Sequence, residues 1–192
     1  CALPIYSILN NASLVVPDGA GILWAAERQG EHVPERVTGV DVTKELFKVA
    51  ATHQIPVYCL GAAPGVAQRA IDNVSAQVGV LNIAGIHDGF FDSAEEQEII
   101  KSIADSKAKL VFVALGVPKQ EQWIAEKLSH LDGVVAIGIG GSFDVLAGNI
   151  PRAPEWMQQN RLEWLYRLYL EPQRIGRMLA IPKFMWTVIR NK

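Results

Sequence analysis

Twice between Leu110 and Trp156 the chain runs an apolar stretch into a glycine turn and then into a short polar segment. The stretches read LVFVALGVPKQEQW from Leu110 and VVAIGIGGSFDVLAGNIPRAPEW from Val134. Strands buried on both faces of a parallel sheet carry this kind of near-continuous apolar run, and open α/β sheets bind ligands beyond the ends of such strands. The expected fold is therefore α/β, a Rossmann-like, mostly parallel sheet flanked by helices. Gln120 and Asp144, just past the two runs, are expected to face one crevice.

The rest of the pattern extends this alternation. Apolar, β-branched runs predict strands at Ser13–Val16, Pro56–Leu60, Val80–Ala84, Leu110–Leu115 and Val134–Ile139. Helical periodicity predicts helices at Gly21–Gln29, Val42–His53, Gly65–Gln77, Ala94–Asp105 and Pro118–Ser129. Asp41 and Ser93 are candidate caps, the latter with Glu96 in a capping box, and Pro64 and Pro118 suit a first helical turn. From Ala153 onward Trp156, Leu162, Leu165, Tyr166 and Tyr169 recur at helical steps, with Pro172 and Pro182 dividing the region into short helices. The domain reading is a body over 1–149 and a helical, basic and aromatic appendage over 150–192.

Charge sharpens that division. The net charge of −2 conceals eight Lys/Arg against three Asp/Glu after Ile150, and ten against seventeen before it. Arginines set among Trp156, Trp164, Tyr166, Tyr169 and Trp186 suit a membrane headgroup interface, although a solvated helix face is the commoner reading of such charges. The acidic body argues against nucleic acid as a partner. No apolar run reaches the roughly 18–20 residues of a membrane span, so attachment to a membrane would be peripheral. Two cysteines, Cys1 and Cys59, make neither a disulfide framework nor a zinc site, and fit a cytoplasmic protein. The chain begins without methionine, and Ala2-Leu3-Pro4-Ile5 matches the translation of a sequencing-adapter string. The first five residues are therefore expected to be foreign and the native N-terminus to lie upstream.

Several loops carry groups suited to chemistry. Asp18, beside Gly19, is either a turn former or helix cap, or a general base at a strand end. In the polar loop PERVTG, Arg36 can grip a phosphate or carboxylate, or simply be solvated. Gly61 opens a strand–turn–helix unit whose exposed N–H groups favour anions, though it lacks both the dinucleotide-fold glycine spacing and the P-loop Lys-Ser/Thr. His87-Asp88-Gly89-Phe90-Phe91 reads as a polar turn with aromatic packing, or as a place for one aromatic to stack on a base or sugar. Gln120 can hydrogen-bond a sugar or phosphate. Gly140 and Gly141 allow a ligand to approach the backbone, and Asp144 either accepts ligand hydrogen bonds or caps the next helix. No Asp-x-Asp pair or other magnesium cluster stands out, so no metal and no cofactor are expected.

As an ordered set, PDG at 17–19, PERVTG at 34–39, LGAAPG at 60–65, the GFF turn, ALGVPKQEQW at 114–123, GIGGSFDVLAGNIPRAP at 138–154 and LEWLYRL at 162–168 resemble the WecG/TagA/CpsF glycosyltransferase family. The resemblance spans nearly all of the chain from about residue 10. It implies transfer of an N-acetylmannosamine-type sugar from a UDP-sugar donor to an undecaprenyl-type, diphosphate-linked GlcNAc acceptor, a step in making bacterial surface polymers such as teichoic acid. It implies Asp18 as catalytic base, with Arg36 and Gln120 on the donor's sugar or diphosphate and Asp144 on the nucleotide. Gly19, Thr38, Gly61, Phe90, Gly140 and Gly141 fall in the matched motifs as substrate-binding positions, and Arg167, Arg174 and Arg177 would reach over the pocket to steady the diphosphate. The family usually carries a Thr-Pro-Asn-type segment upstream of PDG, which this sequence does not include. Inverting, metal-independent chemistry at the inner face of the plasma membrane and self-association are further expectations. The competing readings are a Rossmann-like nucleotide-binding oxidoreductase and a non-catalytic membrane adaptor.

Overall fold

The computed structural model describes residues 3–160, 162–172, 175–178 and 180–190. The chain divides into two compact units. The first joins the residues up to Val15 with Gly39–Ile150, and the second joins Val16–Thr38 with the residues from Pro151 on. The sequence reading draws its single boundary between 149 and 150 and places 16–38 in the body, where nothing in local composition marks that stretch off.

The first unit is built on a parallel four-stranded sheet in the order β2-β1-β3-β4, formed by β1 (Val57–Gly61), β2 (Ile83–His87), β3 (Leu110–Ala114) and β4 (Val135–Gly138). Both central strands are buried throughout. Period-two alternation sends Val57, Cys59, Leu110, Phe112 and Ala114 to one face, and Tyr58, Leu60, Val111 and Val113 to the other. The first face packs on helices α3 (Gly39–His53), α4 (Val66–Val78) and α7 (Ser142–Leu146), where Phe112 lies between Phe47 and Phe143 with ring centroids 4.6 and 6.5 Å away. Against the second lie α5 (Ser93–Asp105) and α6 (Lys119–Trp123), the latter continuing as a π-helical turn over Ile124–Leu128. The connection from β1 runs to one side and that from β3 to the other, so the order reverses between them, where such sheets open a crevice at their carboxyl ends. Cys59 is fully buried, and burial pushes its thiol pKa far up, which makes it an inert core residue.

Several sequence expectations need correcting. Ser13–Val16 is not a strand: α1 (Leu3–Asn11) leads into an irregular segment in which Leu14 and Val15 are exposed, and a strand without a neighbour has no ladder to hold it. The second strand of the sheet lies at Ile83–His87 instead of Val80–Ala84. Val80 is exposed, and as an edge strand Ile83–His87 lacks the apolar run that marks the central pair. Asp92, not Ser93, caps α5; its carboxylate accepts from the N–H groups of Ala94 (2.7 Å) and Glu95 (3.0 Å), while Glu95 accepts from the Asp92 N–H. Asp41 lies inside the first turn of α3.

The second unit holds α2 (Ala20–Gln29), α8 (Glu155–Gln159), α9 (Glu163–Leu170), α10 (Ile175–Met178) and α11 (Ala180–Arg190). Pro172 separates α9 from α10 as expected. Pro182 instead sits in the first turn of α11, where its missing N–H costs no helical hydrogen bond. Helix α11 packs on α2, with Phe184 close to Gly21. Trp156, Trp164, Tyr169, Phe184, Met185, Trp186 and Ile189 are exposed, and among the described residues no helix is long and apolar enough to cross a membrane.

Candidate active site

The sequence-predicted site residues fall into two groups, each within its own unit. In the sheet unit the turns after β1, β2 and β3 are tied together by their backbones. The Ala62 N–H donates to Ala114 O (3.0 Å) and the Gly89 N–H to Ala62 O (2.8 Å). Gly61 is obligatory here: it has φ +115°, and a Cβ would lie 2.4 Å from the Ala114 carbonyl. Gly61, Ala63, Gly65, Gln68, His87 and Asp88 line a pocket of about 270 Å³ where β1 and β2 end and α4 begins. Asp88 folds its own turn by accepting the Phe90 N–H at 2.8 Å, which leaves the Phe90 ring 73% exposed. The Phe91 ring takes the edge of His87 and lies 5.4 Å beneath the Lys119 ammonium, so the His-Asp turn reads as aromatic packing.

Gln120 is where the structure adds most. The sequence reading has it reaching for a ligand, yet it is 2% exposed. Its Oε1 accepts the Gly140 N–H (3.0 Å), and its Nε2 donates to Glu121 Oε1 (2.7 Å). Gly138 leaves it room, since a Cβ there would stand 2.6 Å from Nε2. Gln120 thus holds the glycine turn that carries Gly140, Gly141 and Asp144, and ideal Cβ atoms at both glycines would meet open space. Asp144 does not cap α7 but sits in its first turn, where its carboxylate accepts from Asn149 Nδ2 (3.2 Å). Asn149 in turn receives Arg69 of α4 (3.2 Å), so a charged chain runs from α4 to α7. Gln120 and Asp144 therefore do belong to one turn system at the carboxyl edge, Gln120 beneath it and Asp144 upon it.

Helix α6 is braced from below. Glu96 of α5 takes Lys127 at 3.0 Å and the Trp123 indole N–H at 2.8 Å. The Lys127 contact, followed by the Trp123 hydrogen bond, holds the Glu96 carboxyl below the usual carboxylate range. Glu96 is thus a brace between helices and not the capping-box partner of Ser93.

In the second unit, two irregular segments run side by side, joined by the Val37 N–H to Pro17 O bond (3.1 Å). They bring Asp18 and Arg36 together. Arg36 Nε donates to the Asp18 backbone carbonyl at 2.6 Å, while Nη2 stands 3.5 Å from the Asp18 carboxylate, which is 56% exposed. Gly19 is the N-cap of α2, and Thr38 is buried. Sequence reasoning missed two members of this cluster. Glu163, the first residue of α9, lies 2.9 Å from Arg36 Nη2, and its other oxygen lies 3.9 Å from Arg152 Nε. The glutamate at the start of the run LEWLYRL, whose one other charged residue is Arg167, was the available signal. Arg167 is half-buried on α9. Arg174 lies outside the described residues, and of Arg177 only the backbone, in α10, is described.

A sequence profile described as Glycosyl transferase WecG/TagA/CpsF family matches residues 4–192. The chain is 37% identical over 187 residues to an N-acetylglucosaminyldiphosphoundecaprenol N-acetyl-beta-D-mannosaminyltransferase of Bacillus subtilis (strain 168), a match covering 97% of this chain and 72% of that protein. A protein of the same name from Bacillus spizizenii matches with the same identity and coverage. One from Staphylococcus aureus (strain NCTC 8325 / PS 47) is 33% identical over 185 residues, covering 96% of this chain and 72% of its own length.

Proposed function

Because the chain belongs to the WecG/TagA/CpsF family of glycosyl transferases, and is by that membership a hexosyltransferase, we propose that it moves an N-acetylmannosamine-type sugar from a UDP donor to polyprenyl-diphosphate-linked GlcNAc. The acceptor class is that named for its relatives. The observation that carries the reading is the Asp18–Arg36 pair, an accessible carboxylate beside a guanidinium that is anchored on the same backbone turn.

In the proposed mechanism the acceptor hydroxyl oxygen attacks the anomeric carbon of the donor while the Asp18 carboxylate takes its proton. The new glycosidic bond forms as the bond to the diphosphate breaks, and the electron pair leaves with UDP. A single displacement of this kind inverts the anomeric configuration. Charge growing on the leaving diphosphate is met by fixed cations, with Arg36 and the tail arginines Arg167, Arg174 and Arg177 assigned to it, and without a metal. Gln120 serves the donor side from beneath the Gly140 turn, with Asp144 on the nucleotide and Gly61 and Phe90 as further donor-side positions. The exposed aromatics of α8, α9 and α11 support peripheral docking on the inner face of the plasma membrane, where a lipid-linked acceptor is presented.

Asp18→Asn tests the assignment. It keeps the size of the side chain and removes its basicity, so turnover should fall by about 10²–10⁴-fold while UDP binding by calorimetry is retained. Turnover near that of the unmodified protein removes Asp18 from the mechanism. Undiminished turnover in excess EDTA is the matching expectation for metal independence.

A further inference from the structure

Helix α7 has only 5 residues, too few to hold a helix by themselves. Its C-terminus is closed by a Schellman turn. Gly148 takes φ +78° and donates its N–H to Val145 O (3.1 Å), and the Asn149 N–H donates to Asp144 O (2.9 Å). Helix α4 packs against α7, and Asn73 Nδ2 donates to Leu146 O (2.9 Å). Asp144 therefore stands on a backbone that is pinned by its own turn and by a neighbouring helix.

The side chain of Asp144 needs a separate restraint. Among the described residues Asn149 is the one side chain that hydrogen-bonds its carboxylate, Nδ2 to Oδ1 at 3.2 Å. A side-chain amide donates at one end and accepts at the other. Which end faces Asp144 is set by Arg69 of α4, whose Nη2 donates to Asn149 Oδ1 at 3.2 Å. A guanidinium only donates and a carboxylate only accepts. Turning the amide over would set donor against donor and acceptor against acceptor. The chain Arg69–Asn149–Asp144 thus has one direction, and it leaves Asp144 Oδ2 outside it.

We infer that Arg69 and Asn149 are positioning residues that aim Asp144 Oδ2 at a hydroxyl or N–H group of the donor's nucleoside. The inference rests on the proposed assignment of Asp144 to the nucleotide. A carboxylate repels a diphosphate, so the donating groups of ribose and base are what it can hold. Both hydrogen bonds of the chain are exposed and add little to folding. Their effect is therefore expected in binding and not in stability.

The test is calorimetric titration of the full chain with UDP, with steady-state transfer from a UDP-sugar in parallel. Asn149→Ala keeps the Schellman turn, which uses only the backbone N–H. Its Kd for UDP is expected to rise about three- to tenfold, the worth of one hydrogen bond, and the loss in transfer should fall on KM for the UDP-sugar and not on kcat. Arg69→Gln frees the amide to turn, and should raise Kd about two- to fivefold. On an Asp144→Ala background neither substitution should weaken UDP further, because the group they aim is gone. The urea midpoints of both variants should stay near that of the parent. Unchanged UDP affinity in either folded variant overturns the inference. So does a loss that persists undiminished on the Asp144→Ala background, which is what a loosened turn or a direct phosphate contact by Arg69 would give. If Asn149→Ala fails to fold, Arg69→Gln carries the same test. Asp144→Ala by itself separates the two ideas. If it binds UDP as tightly as the parent, the assignment of Asp144 falls and takes this inference with it; if it binds weakly while Asn149→Ala binds as the parent does, this inference falls alone.

Discussion

Replacing Gly138 with alanine probes how the sheet edge is built. The backbone there accepts alanine, since Gly138 is not among the positive-φ glycines. The obstacle is the Gln120 side chain, whose Nε2, Cδ and Cγ would lie 2.6, 2.9 and 3.0 Å from the new Cβ. Three atoms of one enclosed side chain cannot all yield by small shifts, so Gln120 must withdraw and give up the Gly140 N–H. An unmet buried donor costs about 1–3 kcal/mol, and residual crowding adds a part of the roughly 1–3 kcal/mol typical of overpacking. Gly138→Ala should therefore destabilise by about 2–4 kcal/mol on these two counts. Gln120→Ala loses the same hydrogen bond and opens a space that the Gly138→Ala methyl partly fills. The double variant should thus be little worse than Gln120→Ala alone, a coupling of at least ~1 kcal/mol, beyond the ~0.3–0.5 kcal/mol scatter of independent sites. Urea unfolding of all four proteins, compared at a common m value, measures this. Additive losses, or a Gly138→Ala protein as stable as the parent, would refute the account of Gln120 as the prop of the Gly140 turn.

Two further predictions concern the α5 brace and the tail. The lowered pKa of Glu96 adds stability that is fully present above the ordinary carboxylate value of about 4.3 and is lost as pH falls through the lower folded value. Glu96→Gln should accordingly cost about 0.5–1 kcal/mol at pH 7, and the gap between the two proteins in urea unfolding should close below about pH 4; a gap that persists there contradicts the charge pairing with Lys127. On the exposed face of α11, Trp186→Glu should weaken sedimentation with anionic phospholipid vesicles about tenfold or more, given the apolar area withdrawn and the charge added. Undiminished binding would show that this face does not meet the membrane.

How much of this could be read from the residues depended on where they lie. The central strands announced themselves because burial on both faces forces an unbroken apolar run, as in LVFVA and VYCL. The edge strand Ile83–His87 did not, since half-burial permits Gly85 and His87. Valines at 15 and 16 mimicked a strand because β-branched composition reports local preference and says nothing about a partner. At the candidate site, glycines and lone polar residues drew attention to the turns that follow β1, β3 and β4. Local sequence could not show that Gln120 faces inward, which depends on the absent side chain at Gly138. Nor could it show that Arg36 answers to Glu163, a contact between segments far apart in the chain.

That last contact has a consequence for biogenesis. The strip from Val16 to Thr38 is translated before most of the sheet unit, while the helices it settles against are translated after it. The sheet unit between them can complete its local βα pairings meanwhile, since domains tend to form as units during synthesis. Arg36 must wait, a cation without its glutamate, until α9 has emerged. Nascent chains stalled before α9 should therefore show a protease-sensitive early strip beside an already resistant sheet.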